Sequence, residues 1–103
     1  MILDAHMHLG EDLIFGTNDS PADLLAYMNE HGIDAALLQT GILPADPRAA
    51  TQRLYALTRQ YPGKFFGAAV LSPYTPQAQY EAFMRWAVCD LGFKALKLQG
   101  FAF

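Results

Sequence analysis

Four short apolar runs recur along the 103-residue chain at intervals of roughly 30 residues, the length of one βα unit. The runs cover residues 2–5, 33–38, 64–71 and 93–98, and stretches with helical spacing lie between them. Runs of this length between turn residues are typical of strands buried on both faces. A helix in each connection makes successive strands parallel. The order β-α-β-α-β-α-β therefore predicts an α/β fold with a parallel sheet.

Each predicted helix opens with a capping residue followed by proline. The three openings are Ser20-Pro21, Asp46-Pro47 and Thr75-Pro76. The capping side chain accepts a hydrogen bond from the first turn, and proline at the first helical position has no N–H to leave unpaired. Gly32 and Gly92 stand where a helix C-cap is expected. These signals place three helices between the four strands.

The sheet can close in two ways, as an open doubly wound sheet or as part of an eight-stranded (β/α)-barrel. A nucleotide-binding open sheet has a glycine-rich turn after its first strand, whereas residues 9–12 read Leu-Gly-Glu-Asp. A complete barrel needs about 250 residues. We therefore expect residues 1–103 to form a single partial TIM-barrel domain, a truncated half barrel with the first four strands. Its unpaired edges favour self-association, so a homo-oligomer is expected, and two copies would suffice for a ring of eight strands.

The segment Asp4-Ala5-His6-Met7-His8 carries the chemistry. Side chains alternate along a strand, so Asp4, His6 and His8 are predicted to share one face at the carboxyl end of the first strand. Parallel α/β folds build their sites at that end. Two neighbouring neutral imidazoles suit Zn²⁺ or a similar divalent ion, so His6 and His8 are the predicted metal ligands. Asp4 either orients one of the metal-binding histidines through a hydrogen bond or only forms hydrogen bonds within the barrel interior.

Residues 2–10 resemble the opening of the amidohydrolase superfamily, in particular the amidohydrolase-related branch, which also contains decarboxylases. The likeness continues through residues 28–36 and 92–98. The resemblance implies a metal-dependent TIM-barrel hydrolase in which His6 and His8 bind a divalent metal, with zinc favoured. Water activated by that metal would cleave an amide, ester or lactone bond of a small-molecule substrate. The alternative from the same branch is a metal-dependent decarboxylase.

The family's other metal ligands come from strands five, six and eight, which this chain lacks. The resemblance therefore implies the N-terminal portion of such an enzyme, inactive alone. Some amidohydrolases also use a carboxylated lysine on strand four as a bridging ligand, although this branch generally does not. Lys97 alternates with Phe93 and Ala95 on one face, and is either a residue of the metal layer or a lysine that reaches solvent. His31, just before Gly32, is expected to interact with a helix C-terminus.

Composition excludes several classes of function. The net charge is −3 and the seven basic residues form no cluster, so nucleic acid is not an expected partner, and a barrel nuclease is disfavoured. No apolar run reaches the ~18 residues of a membrane span. The single cysteine, Cys89, allows no internal disulfide, and this fits a cytoplasmic protein. Cys89 is expected to be packed in the third helix as a small apolar side chain. A non-catalytic, self-associating α/β fragment is the alternative from another class.

Overall fold

The computed structural model describes residues 1–14, 16–41 and 44–98. The elements in these ranges are β1 (Leu3–Asp12), β2 (Thr17–Asp19), α1 (Pro21–His31), β3 (Ala35–Thr40), α2 (Pro47–Gln60), β4 (Phe65–Val70), α3 (Gln77–Arg85) and β5 (Ala95–Lys97). A π-helical segment, Trp86–Asp90, continues α3. The described strands form one sheet in the order β2-β1-β3-β4-β5. β1, β3, β4 and β5 are mutually parallel, which confirms the predicted α/β fold.

The first strand is longer than predicted, and β2 was not predicted at all. β1 continues to Asp12 and turns back, so that its last three residues pair with β2 in an antiparallel hairpin. His6 and His8 therefore lie inside β1, which extends four residues beyond His8 instead of ending at the pair as predicted. The parallel pairing of β1 with β3 nevertheless ends at Leu9. The two histidines thus remain near the carboxyl end of the parallel part of the sheet.

A bulge interrupts β1 just before the second histidine. Asp4 lies opposite Ala36 and Met7 opposite Leu38, so β1 has one residue more than β3 over this stretch. The Asp4 carboxylate accepts a hydrogen bond from the backbone N–H of His6 at 2.9 Å. The regular alternation predicted from Asp4 onwards is consequently broken before Met7.

Two of the three predicted helix openings are confirmed. Ser20 accepts a hydrogen bond from the N–H of Asp23, whose carboxylate accepts one from the Ser20 N–H, and Asp46 caps α2. Gly32 ends α1 with a φ of 66°, the left-handed conformation expected of a C-cap. The third prediction is wrong, because α3 begins after Pro76 and has no side-chain cap. Thr75 instead belongs to a turn, in which its N–H donates to Ser72.

The core lies between the sheet and the helices. Its side chains include Met7, Leu9, Leu24, Met28, Ala36, Leu38, Leu54, Leu57, Phe65, Ala69, Phe83, Met84, Ala87 and Phe93. Because residues alternate along each strand, the opposite side of the sheet carries His6 and His8 of β1, Ala35, Leu37 and Gln39 of β3, Phe66, Ala68 and Val70 of β4, and Ala95 and Lys97 of β5. We call this set the inner face. Ala68 and Val70 on this face are almost fully buried.

The structure also tests the expected packing of Cys89 and the expected lack of a membrane-spanning helix. Cys89 is exposed on the π-helical segment, so the prediction of a packed cysteine is wrong. The wider π turn changes the angular spacing of side chains that an α-helix would have set, which moves Cys89 off the buried face. No helix within the described ranges has the length and apolar character needed to cross a membrane.

Candidate metal centre

The two imidazoles of β1 contact each other on the inner face. The Nε2 atoms of His6 and His8 are 3.0 Å apart, and the ring centroids are separated by 5.0 Å. Both side chains project from one short piece of strand, in which the residue between them, Met7, enters the core. The pair is therefore held by the sheet itself.

The orientation of His8 is fixed by the neighbouring strand. Its Nδ1 lies 2.9 Å from the carbonyl oxygen of Thr40, the last residue of β3. A carbonyl oxygen only accepts, so Nδ1 of His8 carries a proton and donates it. In the neutral imidazole, Nε2 of His8 then has a lone pair directed at His6. A backbone carbonyl that sets the tautomer in this way is common behind metal-binding histidines.

The electrostatic environment favours the neutral form of His6. Partial burial lowers the pKa of His6 below its ordinary value of 6.5. The charges of His8 and Lys97 lower this pKa further, whereas the Asp4 carboxylate opposes them. A metal ligand must present an unprotonated nitrogen. At neutral pH, His6 is therefore neutral, and its Nε2 donates to the Nε2 lone pair of His8. A cation that binds between the two nitrogens would displace this proton to Nδ1 of His6 or to solvent.

The spacing of the two nitrogens fits one divalent ion. Two Zn–N bonds of tetrahedral geometry place their nitrogens about 3.3 Å apart. The observed separation of 3.0 Å differs from that value by a few tenths of an ångström, which small rotations of the rings supply. No group of three or more His, Cys, Asp or Glu side chains within residues 1–14, 16–41 and 44–98 is arranged to hold a metal. Other ligands, such as water or a substrate oxygen, would fill the remaining positions.

The histidine pair opens into a cavity of about 360 Å³ at the outer edge of β1. The lining residues are Asp4, His6, Met7, His8, Asp19, Asp23, Leu24 and Tyr27. Asp19 comes from β2, and Asp23 and Tyr27 come from α1. Sequence reasoning missed these three residues because the hairpin that turns the chain toward them was not predicted.

Asp4 contacts His6 through the backbone. The Asp4 carboxylate accepts a hydrogen bond from the His6 N–H, which stabilises the bulge, and its negative charge raises the pKa of the His6 ring. The role of Asp4 in orienting a metal ligand stays a prediction. The contribution of Thr40 was also missed from the sequence, since it is made by a backbone carbonyl that any residue type provides.

His31 lies apart from the pair, as expected. Its Nδ1 is 2.9 Å from the Tyr27 carbonyl oxygen, and its ring stacks on that of Tyr27 with centroids 4.3 Å apart. These contacts belong to the last turn of α1, where a histidine interacts favourably with unpaired carbonyl groups. The prediction of a structural role for His31 is confirmed.

Solved structures with a similar fold exist. A crystal structure of 2,6-dihydroxybenzoate decarboxylase in complex with 2,6-dihydroxybenzoate matches 98% of this chain with a TM-score of 0.73 and 22% sequence identity. The 2,6-dihydroxybenzoate decarboxylase from Rhizobium matches 98% of it with a TM-score of 0.72 and 23% identity. The chain is a partial TIM barrel.

This likeness confirms the predicted fold, the first part of a (β/α)-barrel. The chain spans 40% and 39% of the length of the two decarboxylases. No protein-family model matches the sequence. No curated protein matches it either.

Proposed function

We propose that this chain forms the metal-binding first part of a decarboxylase barrel that releases CO₂ from a small aromatic acid without oxidation. A divalent ion, with Zn²⁺ favoured, is held by His6 and His8. The observation that carries the proposal is the 3.0 Å separation of the two Nε2 atoms on the inner face of a fold shared with two 2,6-dihydroxybenzoate decarboxylases.

The residues of the chain have separate parts in this function. Thr40 holds His8 in the tautomer that directs its Nε2 toward His6, and the neighbourhood of His6 keeps that ring neutral. Leu37 and Phe66 are adjacent, half-buried inner-face residues and provide an apolar surface for an aromatic ring. A bound divalent cation supplies electrostatic stabilisation of negative charge that develops on the substrate.

The hydrolase alternative uses the same two ligands but also needs a base that accepts a proton from water. Asp4 is the carboxylate of β1 closest in sequence to the pair, and it accepts a hydrogen bond from the His6 N–H. That contact supports a structural role for Asp4 over catalysis of hydrolysis. The cytoplasm is the proposed compartment, because Cys89 is an exposed free thiol that a reducing environment preserves.

The proposal is tested by binding and turnover on the 103-residue chain with added Zn²⁺. 2,6-Dihydroxybenzoate has hydroxyl groups next to its carboxylate, so that both kinds of oxygen can approach one cation, whereas 3,5-dihydroxybenzoate does not. We expect Zn²⁺ to strengthen binding of the 2,6 isomer more than that of the 3,5 isomer, measured by calorimetry. Any turnover should appear as CO₂.

His6→Ala should abolish the effect of Zn²⁺, and His31→Ala should leave it unchanged. Hydrolysis of an ester or lactone that requires His6, without release of CO₂, would overturn the proposal in favour of the hydrolase. Equal effects of Zn²⁺ on the two isomers would also count against it.

A further inference from the structure

We propose that Gln39 is a specificity-determining residue of the inner face, whose side-chain amide forms a hydrogen bond with a hydroxyl group of an aromatic ligand beside His8. The choice of an aromatic ligand rests on the proposed function. The hydrogen bond itself involves no metal, and it can therefore be tested without one.

The strand register places Gln39 next to the histidine pair. Gln39 of β3 lies directly opposite His8 of β1. Leu38, the residue before it, belongs to the core on the helix side of the sheet, so the side chain of Gln39 is on the inner side with that of His8. Because neighbouring strands are about 4.8 Å apart, the two side chains leave the sheet side by side.

The amide of Gln39 is buried without a partner in the part of the chain that the structure describes. The residue is 5% exposed, yet its side chain forms no hydrogen bond there. A glutamine amide has two donor hydrogens and an acceptor oxygen. Most buried polar groups are hydrogen-bonded, because an unpaired one has lost contacts with water and gained nothing in return. A ligand that pairs with the amide would account for this exception.

The neighbours of Gln39 on the inner face do not supply the missing hydrogen bonds. Both ring nitrogens of His8 are occupied, Nδ1 by the Thr40 carbonyl oxygen and Nε2 by His6. On the other side of Gln39, the register of β3 and β4 places Ala68, which offers only a methyl group. A partner for the amide therefore has to come from a bound molecule or from water.

The amide remains within reach of a ligand. Among the described residues, no side-chain nitrogen or oxygen is both sealed from solvent and without a hydrogen bond. Because the Gln39 amide forms no hydrogen bond, its nitrogen and oxygen belong to the small part of the side chain that solvent touches. A molecule that lies on the inner face can therefore contact them.

The chemistry of the amide favours a hydroxyl group. A phenolic hydroxyl both donates and accepts, so it can bind either the oxygen or the nitrogen of the amide. A carboxylate only accepts and leaves the amide oxygen unpaired, and an apolar substituent leaves the whole amide unpaired. The aromatic ring that carries the hydroxyl can rest on Leu37 and Phe66, which lie side by side on the same face.

The test is a titration of the 103-residue chain with resorcinol in the presence of a chelator, followed by calorimetry and by the NMR resonances of the Gln39 side-chain amide. Resorcinol is the ring that remains when 2,6-dihydroxybenzoate loses CO₂. The control ligand is 1,3-difluorobenzene, which has a similar size and no hydroxyl group. We expect resorcinol to bind more tightly and to shift the Gln39 amide resonances.

The variant Gln39→Met keeps the length of the side chain and removes the amide. It should weaken resorcinol binding by about threefold to tenfold, the loss expected for one hydrogen bond, and leave the binding of 1,3-difluorobenzene unchanged. Gln52→Met is the matched control, because it makes the same change at an exposed position of α2, and it should leave both affinities unchanged.

The stability of Gln39→Met separates this role from a structural one. Replacing an unpaired buried amide by an apolar side chain should leave the free energy of unfolding equal to that of the wild type or raise it. A less stable Gln39→Met would show that the amide is paired within the protein and would overturn the assignment.

Three results of the titration would also overturn it. They are unchanged resorcinol affinity in Gln39→Met, equal affinity of the wild-type chain for the two ligands, and Gln39 amide resonances that resorcinol does not shift. Because the chelator removes metal, failure of Zn²⁺ binding or CO₂ release would refute the proposed function and leave this result intact.

Discussion

The ring of Phe93 fills the space in which any other residue at position 67 would carry its Cβ. A Cβ built on Gly67 would lie 2.6 Å from Cδ1 and Cε1 of that ring, closer than real Cβ atoms approach. Phe93 is buried, and its N–H donates to Ala87, which anchors the segment before β5. The close approach of Gly67 to Phe93 thus sets where β5 begins, and with it the position of Lys97.

Gly67→Ala should destabilise the chain by about 1–3 kcal/mol, the usual cost of overpacking a core. Urea denaturation followed by tryptophan fluorescence measures the change. Phe93→Leu removes part of the ring, so the two substitutions together should cost less than the sum of their separate effects. Additive effects would show that the ring does not occupy this space.

The helix caps allow a matched comparison between a confirmed and a failed prediction. Ser20→Ala removes the side chain that accepts from the Asp23 N–H and should lower the free energy of unfolding by about 1 kcal/mol. Thr75→Ala should cost less than about 0.5 kcal/mol, because Thr75 caps no helix. Equal losses in the two variants would contradict the observed start of α3.

The lowered pKa of His6 has a consequence for stability. The folded chain binds a proton at His6 less readily than the unfolded chain, so between the folded and unfolded pKa values the unfolded state holds more protons. The contribution of His6 to the free energy of unfolding is therefore fully present above its ordinary pKa of 6.5. It is lost as the pH falls below that value. We therefore compare the unfolding free energies of the wild type and His6→Gln without metal. As the pH falls from 7.5 to ~5, the wild type should lose stability relative to His6→Gln. A difference independent of pH would contradict this account.

Self-association through the sheet edges remains a prediction. β5 is the last described strand of the sheet, and β1 is paired on its outer side only where β2 lies. Leu96 on β5 is 51% exposed, and Leu13 in the hairpin turn is 56% exposed. We expect sedimentation velocity to show a dimer or larger species, which Leu96→Lys weakens and Leu13→Lys does not. A monodisperse wild-type monomer at micromolar concentration would contradict it.

The sequence predicted those features that depend on side-chain pattern. Apolar runs located the parallel strands, Ser20 and Asp46 located two helix starts, and the His-x-His spacing located a pair of imidazoles that the structure brings into contact. The features it missed depend on the backbone. β2 (Thr17–Asp19) is polar and exposed, so its pairing with β1 depends on backbone hydrogen bonds and leaves no apolar run in the sequence.

The bulge in β1 was missed for a related reason. It is stabilised by the hydrogen bond between the His6 N–H and the Asp4 carboxylate. No pattern of residues in the sequence predicts such a change of register. The support that Thr40 gives His8 likewise comes from a carbonyl group. The position of such a group is known only once the register of β1 and β3 is known.

Calorimetric titration with Zn²⁺ tests the central claim most directly. We expect one weakly bound ion per chain, because two imidazoles provide fewer ligands than the three or four of a tight site. Binding should be lost in His6→Ala and in His8→Ala and retained in His31→Ala, whose imidazole lies at the end of α1. Zn²⁺ affinity that survives both His6→Ala and His8→Ala would contradict the account.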